Sequence, residues 1–176
     1  RTIDAVLGLA AAHALAPADI AEVEVCLGRA QVGMLRNPRP QTALDAKFSA
    51  QFAVASALVA RRVGLAQMDD AFVASKPVQS LFDKVRITAT EAFDPDDPLF
   101  APFDQVRIRL CDGTLLDGGP VASARGHARN PLSETELAAK FEDCVGPALQ
   151  PEARRKLMER LLKLEALPEV AELYVV

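Results

Sequence analysis

Apolar residues recur at helical spacing from the first residues of the chain. Ile3, Val6, Leu7, Leu9 and Ala10, with His13 on the same stripe, predict an amphipathic helix over residues 2–15 with Thr2 at its N-cap. Pro17 and Asp19 turn the chain into Ala21-Glu-Val-Glu-Val-Cys-Leu27, whose strict alternation predicts a half-buried strand. Asn37-Pro-Arg-Pro40 breaks the pattern, because proline disfavours the helical region in the residue before it. From about Thr42 to Val63 the spacing then predicts one long helix that is almost wholly apolar beyond its start. Asp45, Lys47, Ser49 and Gln51 give that start a polar face. Burying such a helix commits much of a core to one element and leaves the polar residues at its mouth as candidates for a site.

The second half alternates between the two periods. Ser75-Lys-Pro-Val places an N-cap and a first-turn proline before a helix reaching about Lys84. Val85 to Glu91 alternates as a strand, and the proline- and aspartate-rich Phe93 to Asp104 reads as a loop. Gln105-Val-Arg-Ile-Arg-Leu-Cys111 and Thr114-Leu-Leu116 flank Asp112-Gly113, the strongest hairpin signal in the chain, and a third strand is expected over Val121-Ala-Ser-Ala-Arg125. Beyond that only helical spacing remains. Ser133-Glu-Thr-Glu136 fits a capping box opening a helix through Leu137, Phe141, Cys144 and Val145. A second helix starts near Pro151, with Leu157, Leu161 and Leu164 on one stripe. The expected class is α+β: residues 1–129 form a small mixed domain with an antiparallel hairpin sheet and a long buried helix, and residues 130–176 form an all-α tail.

Composition removes several classes of function. Half of the 176 residues are hydrophobic and a quarter charged, as in a globular chain. The net charge of −4, with no dense stripe of Lys and Arg, argues against nucleic acid as a partner. No apolar run approaches the roughly 20 residues of a membrane helix, and no signal-like segment opens the chain. Cys26, Cys111 and Cys144 are odd in number and widely spaced, which argues against a disulfide framework or a zinc site and for a reducing, cytoplasmic setting. Helical periodicity that begins at once behind Arg1 reads as a piece of a longer chain.

Four separated stretches carry a resemblance. Ile3-Asp4 leads into Leu15-Ala-Pro17-Ala-Asp-Ile20 and Val23-Glu-Val25; Ala46-Lys-Phe-Ser49 with Gln51 follows; then comes Pro-Val-Gln-Ser-Leu-Phe-Asp-Lys-Val, ending at Val85; and Gly126-His-Ala-Arg-Asn-Pro-Leu-Ser133 runs on to Glu136-Leu-Ala-Ala-Lys-Phe141. In this order the segments resemble the MmgE/PrpD family, whose members include 2-methylcitrate dehydratases, cis-aconitate decarboxylases and iminodisuccinate epimerases. Members are longer, with an all-α N-terminal domain, a smaller α+β lid domain, and terminal helices that return to the first domain. The resemblance therefore implies that this chain is the lid with those helices. It implies a di- or tricarboxylate substrate, most closely by dehydration of the 2-methylcitrate type, with decarboxylation or epimerisation as alternatives. It further implies no metal or organic cofactor and an acid/base set of Asp, His and Lys on the missing all-α domain; a homodimer is expected from the apolar stripes of the helical tail.

Chemistry beside a carboxylate needs a base, groups that hold the carboxylates and a donor for the leaving group. Lys47 would supply charge, and Ser49 and Gln51 hydrogen bonds; the competing reading is an exposed lysine with a serine and a glutamine satisfying local backbone. Phe52 stands where several family members carry tyrosine, so the turn of Gln51 and Phe52 keeps packing but loses a hydroxyl. No residue of this chain is assigned as the catalytic acid or base. His13 is expected buried or half-buried on its helix, and His127, Arg125 and Arg129 in a solvated loop where an arginine fork could also take a carboxylate. Asp96-Asp97 lacks the ligand spacing of a calcium loop. A different class of function competes with the enzyme: on its own, the chain would be a non-catalytic interaction or dimerisation module, self-associating through the apolar stripes of its tail.

Overall fold

Alternating apolar residues make Ile20–Gly28 (β1) the middle of a sheet, as a computed structural model describing residues 1–95 and 99–174 establishes. Ahead of β1 lies the helix Thr2–Ala12 (α1). After it come the helices Arg29–Met34 (α2), Ala43–Ala46 (α3), Ala50–Ala60 (α4), Asp70–Val73 (α5) and Lys76–Phe82 (α6). Strands Val85–Thr90 (β2), Asp104–Leu110 (β3) and Leu115–Val121 (β4) complete the sheet, and helices Glu134–Val145 (α7) and Pro151–Leu161 (α8) follow. Two compact units result, Arg1–Asn130 and Pro131–Val176.

The sheet has the order β2-β1-β3-β4. It is mixed rather than a purely antiparallel hairpin sheet, which corrects the expectation: β1 and β2 run parallel, while β1–β3 and β3–β4 run antiparallel. Parallel neighbours need a crossover, and the five helices α2 to α6 supply it. Register puts Val23 and Val25 opposite Val85 and Ile87 on one side and opposite Ile108 and Val106 on the other. That apolar face joins Ala5, Val6 and Leu9 of α1, the buried length of α4, and Val78, Leu81 and Phe82 of α6 in one core.

The opposite face carries ion pairs: Arg86 with Glu24 and Glu22, Arg109 with Glu22, and Arg107 with Asp117. Gln105, the Gly119 N–H and Arg107 hold the Asp117 carboxyl below the ordinary carboxylate value. In the Asp112-Gly113 turn, the N–H and side chain of Thr114 lower Asp112 in the same way, and Gly113 takes φ +90°.

Three boundaries depart from the sequence pattern. The first helix stops at Ala12, Thr2 is its first residue rather than its N-cap, and the Thr2 hydroxyl donates to Asp104 Oδ2 at 3.0 Å. No separate third strand forms over 121–125, Val121 being the last residue of β4. Instead β4 continues through Gly118-Gly119-Pro120, where Gly119 at φ +66° takes up the register shift between Gln105 and Arg107. Pro120 is tolerated because β4 is an edge strand.

The long helix expected over 42–63 is two helices. Thr42 Oγ1 caps α3 through the N–H of Asp45 at 3.2 Å, and Ser49 Oγ caps α4 through the N–H of Phe52 at 3.0 Å. Between them Asn37 Nδ2 takes the Asp45 carbonyl at 3.0 Å, and Ser49 adopts extended backbone paired with Arg36. At the far end Arg61 turns left-handed (φ 55°), and the Ser56 hydroxyl donates to the Arg62 carbonyl at 2.8 Å.

In the second unit the capping box at Ser133 and Glu136 forms as its sequence requires, with Ser133 N donating to Glu136 Oε2 at 2.8 Å. No side chain described in this unit is buried. Its helices are joined instead by contacts such as the 2.6 Å pair between Arg154 and Glu142, and Arg155 is flanked along α8 by Glu152 and Glu159. The Arg155 guanidinium pulls the Glu152 carboxyl below its ordinary value.

Candidate functional site

A serine at an N-cap has extended backbone, and its oxygen accepts from an N–H in the first helical turn. Ser49 meets both conditions, and this geometry separates the four residues at the mouth of α4. Lys47, in the tight link between α3 and α4, is exposed, and its ammonium makes no hydrogen bond or ion pair among the described residues. Ser49 is buried, with its oxygen committed as an acceptor to Phe52 N and its hydroxyl proton still available to donate. Gln51 follows in the first turn, 8% exposed, and its Oε1 is buried without a hydrogen-bond partner among the described residues. Phe52 is fully buried, its ring meeting that of Phe72 edge to face at 6.2 Å. The four residues thus comprise one surface cation, two buried polar groups and a core aromatic.

The capping role has a measurable consequence. Ser49→Ala should destabilise the chain by about 1 kcal/mol, whereas Ser49→Gly should cost only a few tenths. Urea denaturation of both variants checks this, and a Ser49→Ala variant as stable as the wild type would show that the capping hydrogen bond contributes nothing.

A neighbour that composition and spacing did not single out is Arg36. It lies in the proline-rich segment read only as a breaker, yet it pairs with Ser49 in an isolated antiparallel bridge, and Asn37 N donates to Phe48 O at 3.1 Å. The segment is pinned from beneath: Gln79 Nε2 donates to the buried Pro40 carbonyl at 3.2 Å, and Arg39 pairs with Asp83. Nothing in the local sequence signals this approach, because it depends on a crossover that folds residues 36–40 back onto the mouth of α4.

The remaining candidates lie elsewhere. His13 is exposed at the C-cap of α1, against the expectation of a buried or half-buried side chain, because the helix ends before the stripe brings it inward. His127 is an exposed turn residue whose Nδ1 accepts from Arg129 N at 3.0 Å. The Arg125 guanidinium donates to Asn130 Oδ1 at 3.1 Å, and its backbone N–H to Asp4 Oδ2 at 2.8 Å. Asp96 and Asp97 lie outside the described residues. Among the described residues no group of three or more His, Cys, Asp or Glu could hold a metal ion, and no helix is long and apolar enough to cross a membrane. Cys26, Cys111 and Cys144 are free thiols.

Compared with known proteins, residues 1–164 match a family model, that of the MmgE/PrpD C-terminal domain. No curated protein matches the chain.

Proposed function

Since this chain belongs to the family of MmgE/PrpD C-terminal domains, we propose that it is the lid of a lyase acting on a di- or tricarboxylate. The reaction is loss of water of the 2-methylcitrate dehydratase type, in the cytoplasm and without cofactor. The family match over residues 1–164 carries this reading. An all-α domain outside this chain supplies the acid and base. The lid closes over substrate held there, which excludes water and strengthens the electrostatics within.

The arrangement at α4 supports a role in binding rather than in proton transfer. Removing a proton beside a carboxylate builds negative charge on that carboxylate, and a cation or donor placed there lowers the barrier. Lys47 is the exposed cation at this end, and the Ser49 hydroxyl can donate while its oxygen still accepts from Phe52 N. Gln51 Oε1 lacks a donor, and a substrate hydroxyl is a group that could provide one once the side chain turns outward. Phe52 contributes packing under this wall.

The test is turnover of 2-methylcitrate by the enzyme expressed from its complete reading frame, followed by ultraviolet absorbance of the new conjugated double bond. Ser49→Gly deletes the side-chain oxygen at a cost of only a few tenths of a kcal/mol in stability, so a fall in kcat/KM of about tenfold or more in this variant identifies a lost hydrogen bond to substrate. Unchanged kcat/KM on every accepted substrate removes Ser49 from the site. Release of CO2, or inversion of a chiral substrate, in place of water loss would select the decarboxylase or epimerase alternative.

A second reading is favoured by one observation: no described side chain of the unit Pro131–Val176 is buried, and Leu137, Leu161, Leu162 and Leu164 are exposed. Apolar helix faces of this kind seek a partner surface, and a homodimer is the proposed outcome for the chain by itself, without catalysis. Sedimentation equilibrium of the chain should therefore report self-association, and Leu161→Glu should shift the population towards monomer. A monomer at all concentrations refutes this reading.

A further inference from the structure

Arginines in this structure are engaged. Each one other than Arg36 makes at least one hydrogen bond, ion pair or electrostatic contact among the described residues. The Arg36 guanidinium is exposed and makes none, although its backbone is fixed against Ser49. Lys47, two residues from Ser49 and equally exposed, is also unpaired. The acidic residue of the segment, Asp45, forms no ion pair with either cation. Two unneutralised cations therefore flank one serine, at the end of a helix whose first N–H groups already favour negative charge. Gln51, 92% buried, stands in that same first turn, its Oε1 without a hydrogen-bond partner among the described residues. The bridge to Ser49, the Asn37 contacts and the Gln79 anchor fix the backbone that carries Arg36.

We infer that Arg36 is a carboxylate-binding residue, its guanidinium and the Lys47 ammonium forming a two-cation cradle beside the N-terminus of α4 for a molecule with at least two carboxylates. The planar fork takes one carboxylate through two parallel hydrogen bonds, and the ammonium takes a second as a point charge. This inference rests on the reading of the α4 mouth as the lid's share of the substrate wall, and it adds a requirement: monocarboxylates bind poorly because they leave one cation unmatched.

The experiment uses tricarballylate, a tricarboxylate with no hydroxyl to lose, and propionate as the monocarboxylate, at equal ionic strength. Each is titrated into the ¹⁵N-labelled chain and followed by the amide signals of Ser49, Ala50 and Gln51 and the Nε–H signal of Arg36. Tricarballylate should produce saturable shifts that propionate does not. Arg36→Gln should weaken its binding by roughly tenfold to a hundredfold, the range of one charge-assisted interaction. Arg36→Lys, which keeps charge but loses the fork, should recover only part of the affinity. Equal affinity in the wild type and Arg36→Gln overturns the inference, as does the absence of saturable shifts or an equal response to propionate. Turnover separates the two failures: if the complete enzyme dehydrates a tricarboxylate with unchanged KM in Arg36→Gln, the lid reading stands and Arg36 falls. If the enzyme processes no carboxylate, the lid reading falls while the titration still decides whether the cradle exists.

Discussion

Replacing Phe52 with alanine should destabilise the chain by about 3–5 kcal/mol, the range for removing a fully buried aromatic ring. The ring has no solvent exposure, meets Phe72 edge to face, and sits in the core cluster beneath the strands. An effect of that size is a large share of the roughly 5–15 kcal/mol that holds a domain folded. Urea denaturation followed by circular dichroism measures it, and a loss under about 1 kcal/mol would place the ring outside the core. Phe52→Tyr refines the result. A hydroxyl forced into this core without a partner costs about 1–3 kcal/mol, so a well-tolerated tyrosine would mean that the para position opens towards the mouth of α4. That outcome bears on the proposed function, since tyrosine is the residue that several family members carry at this point.

The second large effect is expected at Gln51 and should split stability from activity. A buried amide oxygen without a hydrogen bond carries a desolvation penalty of about 1–3 kcal/mol, and an apolar side chain of the same length removes it. Gln51→Met should therefore stabilise the chain by about 1 kcal/mol or more. In the complete enzyme the same variant should lower kcat/KM by about 10²-fold, the scale for a lost polar contact to the reacting groups. Thermal unfolding and steady-state kinetics on one variant check both halves. A stabilised and fully active Gln51→Met would make the orphaned oxygen a packing defect rather than part of a site.

Both predictions concern adjacent residues at the start of one helix, and their different fates come from helical geometry. Ser49 at the N-cap turns its oxygen back onto the N–H of Phe52. Positions 51 and 52 then leave the axis in different directions, one towards an unsatisfied environment and the other into the core. Sequence spacing alone, which assumed a helix already running from Thr42, could not assign those directions, because the phase of the helix is reset at Ser49.

Several features were determined by the sequence alone, because their physics is local. The alternation of Ile20 to Leu27 specifies a strand whatever it pairs with, Asp112-Gly113 specifies the turn between β3 and β4, and Ser133 with Glu136 specifies a helix start. The ordered run of segments from Ile3 to Phe141 was enough to identify the family. Only the tertiary structure decided the rest, because the deciding contacts span the chain. The parallel pairing of β1 with β2 joins residues separated by five helices. The break between α3 and α4 needs Asn37 to take the carbonyl of Asp45 from outside the helix. The placing of Arg36 beside Ser49 needs the proline segment anchored on α6. Propensity and periodicity report the energy of a residue among its near neighbours; a carbonyl captured or a cation delivered by a distant segment changes that energy after the chain has folded back on itself.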